Sequence, residues 1–242
     1  MTLAIIAAGG KGTRMKSKVP KPLTLLPNGD TFLFSMVKKL EPLVEQVVVV
    51  TNPQVMSDPR HQIDKKSIYR IQVEATGMGD AVFCASDLIK NHEEVLILWC
   101  DQIGITAETI TKTIEMHRNM KSDSCMTIPV LTKETQYIHI DYSEMCINEI
   151  YQSKEGDSVP LPSKSDIGLF MFSSGANLVS AWEEGGREYS RGRLTQEYNF
   201  LPLLKYLSLN DWSFQEVEAS LRDGIGINTQ EELISAVREK VI

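Results

Sequence analysis

Short apolar, β-branched runs alternate along the chain with longer stretches in which apolar positions recur every three or four residues. The runs at 3–8, 46–51, 69–73, 95–100, 125–129, 147–152, 167–172 and 214–218 predict strands. The helical period predicts helices at 31–40, 79–88, 108–119, 176–184, 197–207 and 229–241. The first run, Leu3-Ala4-Ile5-Ile6-Ala7-Ala8, has no polar alternate positions, so both faces of its sheet must be covered. This alternation predicts an α/β, Rossmann-like fold: one domain over 1–242 with a mostly parallel mixed sheet flanked by helices. Thr229 followed by Glu232 writes a capping box at the last helix. Residues 153–165 shift to Lys, Gly, Pro and Ser and read as a loop within the domain. No internal repeat is present.

Composition removes several function classes. Of 242 residues, 42% are hydrophobic and 24% charged, which excludes a disordered or fibrous chain. The formal charge of −7 carries no basic block beyond 11–21, so neither nucleic acid nor a membrane surface is expected as a partner. The apolar runs are far shorter than the ~20 residues that span a bilayer, and no charged segment precedes an apolar core at the start. A cytoplasmic protein is the expectation. Cys84, Cys100, Cys125 and Cys146 lie far apart and read as reduced, mostly buried thiols. Nothing in the pattern speaks to oligomeric state.

The densest chemistry follows the first strand, at Ala7-Ala8-Gly9-Gly10-Lys11-Gly12-Thr13-Arg14-Met15, with Pro20-Lys21-Pro22-Leu23 close behind. Closely spaced glycines let backbone N–H groups approach a ligand, and the local positive charge on an acidic chain points to an anion. Two familiar phosphate loops fail on specific residues. A Walker loop needs Gly before Lys16-Ser17, where Met15 stands; a dinucleotide fingerprint needs a third Gly there and an acid where Thr51 ends its strand.

These residues instead resemble the opening signature of the sugar nucleotidyltransferase family, L-A-A-G-x-G-T-R-M followed by P-K-x-L, with one residue extra in the glycine run. The resemblance is greatest to the uridylyltransferases acting on N-acetylglucosamine 1-phosphate. It continues at Gln72 and Gly77-Met78-Gly79-Asp80-Ala81, similar to a base-recognition segment with Met78 and Asp80 replacing Thr and His. The strand ending at Asp101 is similar to one ending in a metal-binding aspartate. Glu197-Tyr198-Asn199 resembles a sugar-contacting E-Y-Y segment, and Gly226-Ile227-Asn228-Thr229 resembles a segment whose asparagine is a second metal ligand.

The resemblance implies a nucleotidyltransferase fold and transfer of a nucleotidyl group from a nucleoside triphosphate, UTP favoured, to a sugar 1-phosphate with release of pyrophosphate. It implies Arg14 and Lys21 as catalytic cations and a Mg²⁺ cofactor on Asp101 and Asn228. Ala7, Ala8, Gly9, Gly10, Gly12, Thr13, Gln72, Gly77 and Met78 would bind nucleotide, and Asp166 and Glu197 the sugar. Asp166 stands where the family has an asparagine, and Ile138 where it has a glycine; both departures turn the acceptor away from N-acetylglucosamine. Such a transfer needs charge neutralisation and in-line positioning but no protein nucleophile, so His61, His92, His117 and His139 read as surface or core residues. Three alternatives remain: cytidylyl or guanylyl transfer to another phosphorylated sugar or alcohol, a metal-dependent glycosyltransferase, and a non-catalytic nucleotide binder. Asp101-Gln102-Ile103 lacks the second acid of a glycosyltransferase metal motif, and a mere binder would not need Arg14, Lys21, Asp101 and Asn228 together.

Overall fold

The computed structural model describes residues 1–10, 12–61, 66–134 and 137–239. Lys11 and the last residues of the expected 229–241 helix lie outside them. The strands are β1 (Thr2–Ala7), β2 (Gln46–Thr51), β3 (Ile68–Ile71), β4 (Glu94–Trp99), β5 (Cys125–Lys133), β6 (Ile138–Ser143), β7 (Cys146–Gln152), β8 (Ser163–Asp166), β9 (Leu169–Ser173) and β10 (Ser213–Glu218). The helices are α1 (Phe32–Leu40), α2 (Pro53–Ser57), α3 (Met78–Phe83), α4 (Ser86–Ile89), α5 (Ala107–Asn119), α6 (Gly175–Ala181), α7 (Arg187–Tyr189), α8 (Leu201–Leu209) and α9 (Gln230–Arg238).

The main sheet runs β10-β5-β9-β4-β1-β2-β3, with β8 paired to β5 off this path. The pairs β1–β2, β1–β4, β2–β3 and β5–β10 are parallel, whereas β9 and β8 run antiparallel to their neighbours. The expected mostly parallel mixed sheet is therefore present. All six residues of β1 are buried, because Leu3, Ile5 and Ala7 pack into one core and Ala4 and Ile6 into another on the opposite face. From β1 the chain moves to β2 on one side and returns to β4 on the other. The loops leaving β1 and β4 thus diverge and open a crevice at the carboxyl ends of those strands. Among the described residues no helix is long and apolar enough to cross a membrane.

Where element boundaries depart from the sequence pattern, tertiary bonds account for most of the difference. The 79–88 helix divides into α3 and α4, with the Ser86 hydroxyl donating to the Phe83 carbonyl at 2.6 Å at the break. The 197–207 helix begins only at Leu201, because Tyr198 N–H is bonded to Thr76 O and Tyr198 O to Gly79 N–H, both at 2.8 Å. The 167–172 strand begins only at Leu169, because Gly168, with φ +75° and its N–H bonded to the Asp166 carboxylate (2.8 Å), makes a turn. The 153–165 loop holds a 3-10 turn at Ser153–Glu155 and the start of β8. The pattern also missed α2 and β6, the latter paired with β7 in a separate two-stranded sheet. Only Cys100 and Cys125 are buried; Cys84 and Cys146 are exposed, which corrects the expectation of mostly buried thiols.

Candidate active site

The glycine-rich loop enters the crevice directly from β1. Gly12 has φ +59°, and a Cβ there would stand 2.7 Å from Lys21 Cβ; glycine is what lets the loop close over the Lys21 turn. Arg14 lies in the short 3-10 turn Thr13–Met15, and Lys21 opens a second one, Lys21–Leu23, stiffened by Pro22. Beneath the loop, Met15 packs with Phe32, Ile103, Ile227 and Ala236 in a small core of its own. Met15 beside Arg14, Ile103 two residues past Asp101 and Ile227 beside Asn228 thus pin three distant loops at one point.

Asp101 follows β4, and its backbone is stitched to the Asn228 segment. Ile227 N–H donates to Asp101 O and Gly104 N–H to Ile225 O, both at 3.0 Å, while the Asp223 carboxylate accepts from Thr106 N–H at 3.0 Å. From α1, the Lys39 ammonium donates to the carbonyls of Ile103 (2.7 Å) and Ile105 (2.9 Å). Burial, reinforced by Arg222, lowers the Lys39 pKa to about 8. At the other end of the segment the expected capping box is formed, with Glu232 N–H bonded to Thr229 Oγ1 (3.1 Å) and Thr229 N–H to Glu232 Oε2 (3.0 Å).

The four charged and polar groups singled out by sequence meet here. Lys21 Nζ pairs with the Asp101 carboxylate and donates to Asn228 Oδ1 at 3.0 Å, and Arg14 Nη2 donates to the same oxygen at 2.9 Å. Asp101 and Asn228 therefore direct two hard oxygen donors at a single cationic position, now held by an ammonium group. Among the described residues no cluster of three or more His, Cys, Asp or Glu could hold a metal. A cation at this point would draw its other ligands from water and a bound anion, the manner in which Mg²⁺ is usually held.

Around these groups lies a cavity of about 360 Å³, within the range of small-ligand sites. Its lining includes Ala7, Ala8, Gly10, Gly12, Thr13, Arg14 and Lys21 from the first two turns, Gln72, Gly77 and Met78, and Asp101, Glu197 and Asn228. Two expected residues do not line it. Gly9 lies behind the loop, its carbonyl accepting from Asn52 Nδ2 at 3.0 Å. Asp166 does not reach the cavity: one oxygen lies on Gly168 N–H and the other is buried without a partner among the described residues, and desolvation raises its pKa to about 6. Lys16 and Lys18 are exposed and lie outside the lining, as does every histidine. Cys100 reaches the cavity wall, but burial pushes its thiol up to about 12, far from a nucleophile.

Gln72 is buried, and its Nε2 donates to the Gly77 carbonyl at 3.1 Å; its Oε1 has no partner among the described residues. Gly77 has φ +136°, and a Cβ there would fall 2.4 Å from Tyr198 O, so only glycine permits this packing. The backbone of 76–79 is thereby joined to the segment bearing Glu197. Lys154 is a lining residue that sequence reasoning missed, because its surroundings read as a featureless loop. Its stem is exposed, yet its ammonium reaches the buried Asn199 carbonyl oxygen, and desolvation lowers its pKa from the usual lysine value. Lys39 was missed as well, lying within an ordinary amphipathic helix that gave no signal.

The chain is 28% identical over 237 residues to the bifunctional protein GlmU of Thermotoga sp. (strain RQ2), which covers 96% of this chain and 49% of that protein. It thus spans about half the length of the curated relatives it matches. Among solved structures, a UDP-glucose pyrophosphorylase complexed with UDP-glucose superposes with a TM-score of 0.71 at 16% identity, covering 99% of this chain and 98% of that one. The 4-diphosphocytidyl-2C-methyl-D-erythritol synthase of Anaerococcus prevotii DSM 20548 gives 0.63 at 17% identity, covering 99% and 95%. At such identities the structural likeness establishes the fold. The family model for the MobA-like NTP transferase domain matches residues 4–159, a span that includes the glycine loop, Lys21, Gln72 and Asp101. The chain accordingly belongs to the MobA-like NTP transferase domain family, a family of nucleotidyltransferases.

Proposed function

We propose that this chain transfers a nucleotidyl group from a nucleoside triphosphate, UTP in preference, to a sugar 1-phosphate, releasing pyrophosphate. The convergence of Lys21, Arg14, Asp101 and Asn228 on one point of the crevice carries the reading. The acceptor phosphate oxygen attacks the α-phosphorus while pyrophosphate departs on the opposite side. Lys21 and Arg14 neutralise the charge that gathers on the phosphates, and backbone N–H groups of the glycine loop cradle them. Asp101 and Asn228 would hold Mg²⁺, which supplies Lewis-acid neutralisation of the same phosphates when bound. Gln72 presents its free Oε1 to the N3–H of uracil or thymine, a proton cytosine lacks. Glu197 accepts from sugar hydroxyls, and Lys154 adds a cation on the acceptor side. The substrates are cytoplasmic metabolites, and the reaction belongs there.

A pyrophosphate-release assay crossing ATP, CTP, GTP, UTP and dTTP with a panel of sugar 1-phosphates tests this. UTP, with dTTP behind it, should give the highest kcat/KM, and excess chelator should abolish turnover. CTP or GTP leading would overturn the base assignment alone. Full turnover in chelator would remove the metal.

A further inference from the structure

Glu155 is a carboxylate 5% exposed, with four donors around it and, among the described residues, no charged side chain bonded to its carboxylate oxygens. Its Oε2 accepts from the backbone N–H groups of Leu194 (2.8 Å) and Thr195 (3.3 Å). Its Oε1 accepts from Thr195 Oγ1 (2.5 Å) and Asn199 Nδ2 (3.1 Å). Burial raises the Glu155 pKa, but these donors outweigh it and hold the carboxyl below its ordinary value. Asn199, 1% exposed, then turns its Oδ1 to the Lys154 ammonium in the cavity wall. The loop folds back on itself, Gly192 N–H donating to Glu197 O at 2.7 Å. A Cβ at Gly192 would stand 2.5 Å from Glu155 Oε1 and 2.7 Å from Asn199 Nδ2, so the contact needs glycine.

We propose that Glu155 and Asn199 are positioning residues that hold the Lys154 ammonium, and with it the Glu197 loop, against the phosphate of the acceptor. The proposal rests on the sugar-1-phosphate reading of the site. The Asn199 amide has one orientation only, fixed between an acceptor on one side and a cation on the other. Glu155→Gln reverses that logic. Two backbone N–H groups cannot turn away from the Oε2 position, so the new amide nitrogen must replace Oε1 and face Asn199. The Asn199 amide then flips to accept from it, and its own NH₂ is driven against Lys154. A carboxylate at 199 could accept from both sides, and Asn199→Asp should therefore repair what Glu155→Gln breaks.

The experiment measures KM for sugar 1-phosphate and for nucleotide in the wild type, Glu155→Gln, Asn199→Asp and the double variant, with melting temperatures alongside. Glu155→Gln should raise the acceptor KM at least ten-fold, at least five-fold more than it moves the nucleotide KM, and the double variant should return to within three-fold of wild type. An unchanged acceptor KM, or a folded double variant worse than either single change, overturns the relay. Should Glu155→Gln fail to fold, Lys154→Met must show the same acceptor defect, and an unchanged KM there counts equally against it. If no sugar 1-phosphate supports turnover by the wild type, the functional reading has failed separately. Calorimetric binding of inorganic phosphate, a stand-in for the acceptor phosphate, with Lys21→Ala as the background to silence the nucleotide side, then reads the relay, expected about ten-fold weaker in Glu155→Gln and restored in the double variant, with equal affinities overturning it.

Discussion

Two polar clusters sit at opposite ends of the same strands, and only one of them surrounds open space. At the carboxyl ends of β1 and β4, Arg14, Lys21, Asp101 and Asn228 face a cavity. At the amino ends, Thr2 and Glu94 meet Arg118, which donates to both Glu94 oxygens at 2.8 and 2.7 Å. Beside them His117 lies buried between Thr127 Oγ1 (2.9 Å) and Ser173 Oγ (3.1 Å), with Cys125 Sγ 2.9 Å from that serine. A histidine, a serine and a thiol in contact could pass for catalytic groups. Burial lowers the His117 pKa to about 4, both ring nitrogens have partners, and the ring is buried. The difference is topological. Diverging loops at one end leave room for a ligand, whereas at the other the last turn of α5 sets His117 and Arg118 directly against the strand residues.

The largest expected effect separates the clusters by function. Lys21→Ala should lower turnover by roughly 10²–10³-fold while the melting temperature moves only a few degrees, because the side chain spans a loop crevice and not a core. Comparable loss of activity and stability together would make the upper cluster structural too.

His117→Ala should do the reverse. It strips the buried Thr127 hydroxyl of its partner, removes one of the two partners of Ser173 Oγ and opens a cavity, which costs roughly 2–4 kcal/mol. For a chain of this size that is a fall of roughly 5–15 °C in melting temperature. The kcat below the transition should stay within two-fold of wild type; a ten-fold loss without destabilisation would break the comparison.

The smallest effect concerns Asp166, which belongs to neither cluster. Its folded pKa, raised by desolvation to about 6 from 3.8, means that the native state binds its proton more tightly than the unfolded chain. The associated stability is fully present below pH ~4 and is lost as pH rises to ~6. His117, depressed in the fold, has the opposite slope over an overlapping range, so the two must be separated by difference. Asp166→Asn keeps the bond to Gly168 and should be more stable than wild type by roughly 1–3 kcal/mol at pH 7–8, with the gain vanishing near pH 4. Denaturant unfolding across that range would show a flat difference if the carboxyl were ordinary.

Much of the site was legible because its residues are bound to local backbone demands. The glycines after β1, the Pro-flanked Lys21, and Asp101 at the end of an apolar strand all carry their meaning in neighbouring residues. Lys154 and Asn199 do not. Lys154 sits in a stretch whose composition reads as loop, and Asn199 replaces a tyrosine of the resembling segment. They meet directly across 45 residues, with Glu155 fixing the other end of the Asn199 amide, and no spacing announces either contact. Asp166 errs the other way: its position matches a sugar-contacting one, yet the turn at Gly168 draws its carboxylate out of the cavity.

The chain by itself determined the alternation of strands and helices, the two-sided burial of β1 and the anion-seeking character of its first turn. Hydrophobic period and glycine placement act over a few residues and survive in any fold that uses them. Only the tertiary structure decided which of several polar clusters would line an open cavity. It decided too that the 197–199 segment would pair with Thr76 and Gly79 in place of helix, and that Lys39 would brace the Asp101 loop. Those outcomes depend on desolvation and on hydrogen bonds between residues tens to hundreds of positions apart, and such energies exist only after the loops have been brought together.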